Sequence, residues 1–182
     1  MILGEKIRLR AIERTDIPRF VRWMNDPEVT QYLLMSSPLS FAMEEKWFDD
    51  QLQRPPHQGQ ILGIEVQRAD DWVHIGNTGL HDVDLVNRTA EFGIVIGEKE
   101  YWNRGYGTQA TRLMLKHGFE NLNLNRIYLE VFETNPRAMQ TYINAGFTRE
   151  GVFRQAIFKN GRYIDAIFMS ILQSEWMETN KK

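Results

Sequence analysis

The chain has 182 residues, 22 Lys and Arg against 24 Asp and Glu for a formal charge of −2, and no cysteine. A slightly acidic balance argues against a nucleic-acid protein, which needs clustered positive charge, and the lack of cysteine excludes disulfides, thiolate metal sites and a cysteine nucleophile. With 42% hydrophobic and 25% charged residues, a mean hydropathy of −0.45 and no apolar run near the ~20 residues of a membrane span, residues 1–182 are expected to form a single globular domain.

The opening MILGEKIRLR shows no charged segment followed by an apolar one, so a cytoplasmic location is expected, with no membrane partner. Lys6–Ile12 alternates in polarity and predicts a first strand. Thr15 is placed to cap a helix through about Met24, Pro27 to start a short helix to about Tyr32, and Ser40 to cap a third helix to about Gln53. The segment 54–59 reads as a loop. Gln60–Arg68 and Val73–Val83 read as antiparallel strands turning at residues 69–71, and Thr89–Ile96 as a fourth strand.

A helix from Tyr106 to about Asn121 presents Ala110, Leu113, Met114 and Leu122 on one face. Arg126–Val131 is the fifth strand, and a strand–helix–strand unit of this length predicts a parallel neighbour for the fourth. Asn135-Pro136 opens a helix that Gly146 closes, and Thr148–Phe158 and Arg162–Leu172 form a hairpin on Asn160-Gly161. Thr179 to Lys182 reads as a frayed end. The architecture expected is α+β: a seven-stranded, largely antiparallel sheet with one parallel pair, flanked by helices.

Between the fourth strand and the following helix lies WNRGYGT, residues 102–108. Gly105 and Gly107 flank Tyr106 where backbone N–H groups can converge on a helix's positive end, a ready anion site. The spacing matches neither GxxxxGK followed by Ser or Thr, nor GxGxxG. Taken alone, the two glycines fit an ordinary strand-to-helix turn equally well. Residues 1–90 carry 10 basic against 14 acidic side chains and residues 91–182 carry 12 against 10, which fits an anionic ligand on the C-terminal half and a cationic one on the N-terminal half, and fits chance scatter of surface charge equally well. His57, His74, His81 and His117 show no ligand spacing, so no metal is expected.

With both halves placed, two segments together resemble the GNAT superfamily of acyl-CoA N-acyltransferases. WNRGYGT is similar to that family's pyrophosphate loop, Q/R-x-x-G-x-G/A, with Trp102 standing where Gln or Arg is usual. NPRAMQTYINAGF, residues 135–147, resembles its acyl-CoA helix, NxxAxxxYxxxGF. The likeness covers about residues 3–175. It is nearest to the ribosomal-protein alanine and spermidine N-acetyltransferases, through AEFGIVI at residues 90–96 and the C-terminal hairpin.

The resemblance implies an acetyl-CoA-dependent N-acetyltransferase acting on a primary amine: a protein N-terminus, a polyamine, an aminoglycoside or another small amine. A non-catalytic acyl-CoA-binding module is the alternative. Acetyl-CoA would contact Ile94, Val95, Ile96, Trp102, Asn103, Arg104, Gly105, Tyr106, Gly107, Thr108, Asn135, Arg137, Ala138 and Tyr142. Tyr142 is implied as the acid beside the thioester sulfur, and a backbone N–H near Val95 as the oxyanion donor where the fourth strand leaves the fifth. Glu91 points away from the apolar face of Ala90, Phe92, Ile94 and Ile96 and is the leading base, with His81, Asp82, Asp84 or a water relay as rivals.

Selection of the amine is assigned to the first helices, where Asp26, Glu28, Glu44, Glu45, Asp49 and Asp50 could attract a cation. The segment LLMSSPLSFAMEE, however, lacks the acidic cluster of the spermidine enzymes. Trp23, Trp47, Tyr32 and Phe41 are expected in the core. Exposed edge strands, above all the C-terminal hairpin, make a homo-oligomer a further expectation.

Overall fold

A computed structural model describes residues 1–35, 37–55 and 59–179. The centre of the expected loop at 54–59, His57 included, and the expected frayed end beyond Thr179 lie outside the described residues. The strands are β1 (Ile2–Leu3), β2 (Ile7–Ala11), β3 (Ile61–Arg68), β4 (Asp71–Asp84), β5 (Thr89–Ile96), β6 (Arg126–Phe132), β7 (Thr148–Lys159) and β8 (Arg162–Leu172). The helices are α1 (Ile17–Met24), α2 (Pro27–Thr30), α3 (Phe41–Gln53), α4 (Tyr106–Lys116), α5 (Pro136–Ala145) and α6 (Gln173–Thr179). One sheet runs β1-β2-β3-β4-β5-β6-β8-β7. All neighbours are antiparallel except β5 and β6.

The sheet therefore has eight strands where seven were expected. The additional one, β1, pairs Ile2 with Leu9 and Leu3 with Arg8, and two residues are too few to show an alternation. Ser40, Asp26 and Asn135 accept from backbone N–H groups two or three residues on, as helix caps do. Thr15 is not a cap. A single tight turn at residues 14–16 precedes α1, with Asp16 Oδ2 accepting from Glu13 N at 2.9 Å. α4 stops at Lys116 and widens into a π-turn over His117–Asn121. α6 has no counterpart among the expected elements; its Trp176 packs 6.0 Å from the Phe119 ring.

On one side of the sheet, α4 and α5 cover a core of Ala90, Phe92, Ala110, Met114, Leu129 and Phe147. On the other, α1 and α2 supply Phe20, Trp23 and Val29, against which Trp47, Val95 and Trp102 pack. Trp23 is in the core as expected, whereas Phe41 is exposed.

Beneath α1 lies a buried polar network. Arg10 donates to Glu65 Oε1 at 2.7 Å and to both oxygens of Asp16 at 2.6 and 2.8 Å, and Arg8 donates to Glu65 Oε2 at 2.5 Å. Burial pushes the Asp16 carboxyl up, but hydrogen bonds from His74, Arg10 and Glu13 N outweigh it and hold the group well below the usual carboxylate range. Replacing one partner would strand a buried charge. The network fastens β2, β3 and β4 to the start of α1.

At the other end of α1, the Trp23 ring lies flat on Gly97, where an added Cβ would sit 2.1 Å from Trp23 Cδ2. Trp23 Nε1 donates to Glu98 Oε1 at 3.1 Å. The exit of β5 is thus held under α1 by a contact only glycine permits. Gly97→Ala is expected to destabilise by about 2–3 kcal/mol or more, a fall in Tm of roughly 5–10 °C for a chain of this size. Calorimetry would measure it, and an unchanged Tm would show that the ring moves freely.

Candidate active site

β5 and β6 pair at only three positions, Thr89 with Arg126, Ala90 with Ile127 and Glu91 with Tyr128. β5 nevertheless stays registered with β4 from Glu91 opposite His81 to Ile96 opposite Gly76. Beyond Glu91 the two parallel strands therefore part. A cavity of about 390 Å³ opens between them, lined by β5, β6, the loop 101–105 and the first turns of α4 and α5.

Peptide groups alternate in direction along a strand. Gly97 N donates to Ile75 O on β4 and Gly93 O accepts from Thr78 Oγ1, whereas Ile96 O accepts from Trp102 Nε1 at 2.7 Å. Odd-numbered residues thus turn their peptide groups to β4, and Ile94 and Ile96 turn theirs to the gap. The N–H near Val95 expected to face the cleft is accordingly that of Ile94 or Ile96.

At one end of the cavity, Asn103 and Gly105 both have positive φ, 59° and 79°. The second caps α4 in a conformation that costs glycine nothing. Gln109 N already donates to Gly105 O, which leaves the N–H groups of Tyr106, Gly107 and Thr108 without helical partners at the positive end. A Cβ on Gly105 would meet nothing within 4 Å, and one on Gly107 only Thr141 Cγ2 at 3.8 Å, so the space before these amides is open.

Trp102 has a different job from the Gln or Arg usual there. Its indole closes onto β5 and carries the Arg137 guanidinium 4.2 Å above its ring, a cation–π contact that parks positive charge at the cavity wall. Arg104 lies 5.6 Å from the Tyr101 ring.

Along α5, Asn135, Ala138 and Tyr142 fall on the face that lines the cavity. Asn135 Oδ1 is spent on capping, accepting from Ala138 N at 3.1 Å, so its amide nitrogen is the group left for a ligand. Tyr142 is 8% exposed, wedged 6.1 Å from the Phe92 ring and 5.8 Å from that of Phe147. Burial pushes its phenol up to about 12, so it stays protonated across any working pH.

Glu91 lies on the opposite sheet face from Phe92, and Glu130, two residues beyond Glu91's partner Tyr128, lies on that same face; both carboxylates line the cavity. Burial, then the charges of Asp82 and Glu130, raise the Glu91 carboxyl above its ordinary value. Of the rival bases, Asp84 is occupied in a turn with Asn87 and the N–H of Val86. Asp82 sits at a bulge with φ 47°, and burial holds His81 below its usual value. None of these three lines the cavity.

None of the six acids of the first helices, Glu45 and Asp50 included, lines the cavity. Asp26 and Glu28 each bind Lys99 at 2.8 Å, Asp49 pairs with Arg14, and Glu44 is buried on α3. Glu130, Thr141, Phe132 and the segment Val29, Tyr32, Leu33 and Leu34 were not among the expected lining residues. For Glu130 a signal existed: Ile127, Leu129 and Val131 leave Tyr128 and Glu130 together on the other face of β6. Tyr32, expected in the core, is half-buried and lines the cavity.

The chain is similar to known proteins along most of its length. The family model described as "Acetyltransferase (GNAT) domain" matches residues 6–148. The chain is 30% identical over 179 residues to spermidine N(1)-acetyltransferase of Escherichia coli (strain K12), covering 98% of this chain and 92% of that one. It is 35% identical over 178 residues to the putative ribosomal N-acetyltransferase YdaF of Bacillus subtilis (strain 168), covering 96% and 95%. The crystal structure of spermidine N-acetyltransferase from Vibrio cholerae in complex with CoA and spermine superposes with a TM-score of 0.87 at 29% identity, covering 96% of this chain and 99% of that one.

Removing a like charge favours the ionised form of its neighbour. Glu130→Gln and Asp82→Asn should each therefore lower the pH at which Glu91 titrates, read from its side-chain carboxyl carbon by NMR. An unmoved titration in both variants would mean that the three carboxylates do not share one field.

Proposed function

The chain belongs to the GNAT acetyltransferase family and is an acetyl-CoA-dependent N-acetyltransferase, and from that premise we propose that its acceptor is a polyamine, that Glu91 takes a proton from the attacking amine and that Tyr142 stabilises the departing sulfur. The observation behind the acceptor is the pair of carboxylates, Glu91 and Glu130, on the cavity wall away from α4 and α5. A polyamine offers one amine to react and a second ammonium to bind, and two carboxylates on one sheet face match both. The likeness to the spermidine enzymes supports this reading. A non-catalytic binding module is disfavoured, because the relatives are acetyltransferases by name and the tyrosine is in place.

The roles follow from position. The N–H groups of Tyr106, Gly107 and Thr108 hold the pyrophosphate, with Arg104 and Arg137 beside them. Asn135 and Ala138, with the edge of β5 at Ile94 to Ile96, flank the pantetheine arm, and Trp102 and Asn103 close the phosphate end. An N–H of Ile94 or Ile96 supports the oxyanion as the amine attacks the thioester carbonyl.

Only the neutral amine attacks, so an alkylammonium near ~10.4 first loses one proton to water, a loss for which Glu91 is far too weak a base. Glu91 takes the second proton, once attack has made the nitrogen acidic. Tyr142, a weaker acid than a thiol near ~8.5, acts chiefly by donating a hydrogen bond to the sulfur as its charge develops. The whole chain is read as one domain of this kind. The long exposed edge strand β7 favours a homo-oligomer, which sedimentation of a lone 21 kDa species would remove.

Two outcomes test the reading. Release of free thiol from acetyl-CoA, with spermidine, spermine and peptides beginning with Ala or Ser, should be fastest with the polyamines; turnover of the peptides alone would transfer the assignment to protein N-termini, as the likeness to YdaF would favour. Tyr142→Phe should lower kcat by about 10²-fold or more while CoA binding, measured by calorimetry, stays unchanged. An unaltered kcat would take the sulfur-side role from Tyr142.

A further inference from the structure

One side chain closes the base of the segment that follows α1. Asn25 Nδ2 donates to Leu39 O at 2.7 Å and Asn25 Oδ1 accepts from Leu39 N at 2.9 Å, an arrangement that copies a strand pair. α2 begins the segment and is moored by Lys99 through Asp26 and Glu28. Past α2 the chain has little regular structure of its own, with Leu33 N donating back to Thr30 O at 3.0 Å. Yet Tyr32, Leu33 and Leu34 line the cavity, and that stretch must be held for the wall to exist.

It is held from the far end of the chain. Lys159 Nζ donates to three backbone carbonyls at once: Thr30 O at 3.1 Å, Leu33 O at 2.7 Å and Met35 O at 3.1 Å. All three ammonium donors are used, and no carboxylate pairs with Lys159 among the described residues. Lys159 sits where it does because the β7–β8 hairpin turns tightly at its tip. Asn160 and Gly161 have φ of 51° and 78°, as a two-residue hairpin turn requires, and Phe158 packs 5.0 Å from its cross-strand partner Tyr163. Just behind, Phe132, Ile157, Ile164 and Ala166 form a small separate cluster on which Tyr32 rests.

We propose that Lys159 is a positioning residue for the acceptor: its ammonium, caged by the carbonyls of Thr30, Leu33 and Met35, fixes residues 30–35 as the wall against which the amine substrate is oriented. The proposal rests on the polyamine reading for its kinetic consequence and on geometry alone for its structural one. The cage lies outside the acetyl-CoA contacts, so its loss should be felt by one substrate and not by the other. An arginine keeps the charge, but its planar fork cannot converge on three carbonyls as a tetrahedral ammonium does. The order of function should therefore be Lys, then Arg, then Met.

The test compares Lys159→Met and Lys159→Arg with the parent. Lys159→Met should raise KM for spermidine about tenfold, with kcat within about twofold and KM for acetyl-CoA unchanged, and Lys159→Arg should fall between. Backbone amides of residues 31–35 should exchange with deuterium faster in Lys159→Met, without acceptor present. Unchanged exchange there, or an equal rise in KM for both substrates tracking a lower Tm, would overturn the proposal. If the parent turns over no polyamine, the acceptor reading fails, and the exchange measurement decides the fate of the cage by itself.

Discussion

The interruption of the parallel pair β5–β6 after three residue pairs is the constraint on which the rest of this structure depends. A sheet that stayed paired would satisfy its own peptide groups and leave no gap. Here β5 is claimed on its other side. Its pairing with β4 continues to Ile96, Val95 and Trp102 pack with the aromatics of α1, and Gly97 lies under the Trp23 ring. β6 meanwhile follows β8 as far as Phe132 opposite Ala166. Two strands held by different neighbours part, and Ile96 O in the gap turns to Trp102 Nε1 in place of a strand partner.

The same gap separates two electrostatic environments. Toward α4 and α5 it meets helix N-termini, Arg104 and Arg137, and toward the other face it meets Glu91 and Glu130. A polyanionic donor and a cationic acceptor can thus approach one reacting carbonyl from regions of opposite potential, which favours each in its own place. Glu91 is raised because it is half-buried beside its own kind, and Tyr142 because it is buried among aromatic rings. Both shifts come from the packing that shapes the cavity.

Charge read along the chain did not foretell this division. Among the acidic side chains of residues 1–90, Asp16 and Glu65 pair with Arg8 and Arg10, and Asp26 and Glu28 with Lys99. The carboxylates that face the cavity come from β5 and β6, within a few residues of the amides that would receive phosphate. Net charge by halves sums over surface and core alike, whereas a binding site is made by the few groups that the fold leaves unpaired.

What the sequence by itself determined was everything carried by local pattern. Alternation and turn residues marked seven of eight strands, Asn135 and Ser40 declared their caps, and WNRGYGT with NPRAMQTYINAGF named the family, because backbone conformation at such positions is set by residues a few places apart. Tertiary structure alone decided which residues meet across the gap. The peptide groups of Ile94 and Ile96 rather than Val95 face it because β4 takes the others. Glu130 joins Glu91 because two strands are in register, and Lys159 reaches a loop more than a hundred residues upstream in sequence. Such contacts follow from register, hairpin direction and the sharing of hydrogen-bond partners between strands, which are properties of the assembled sheet and of no single stretch of chain.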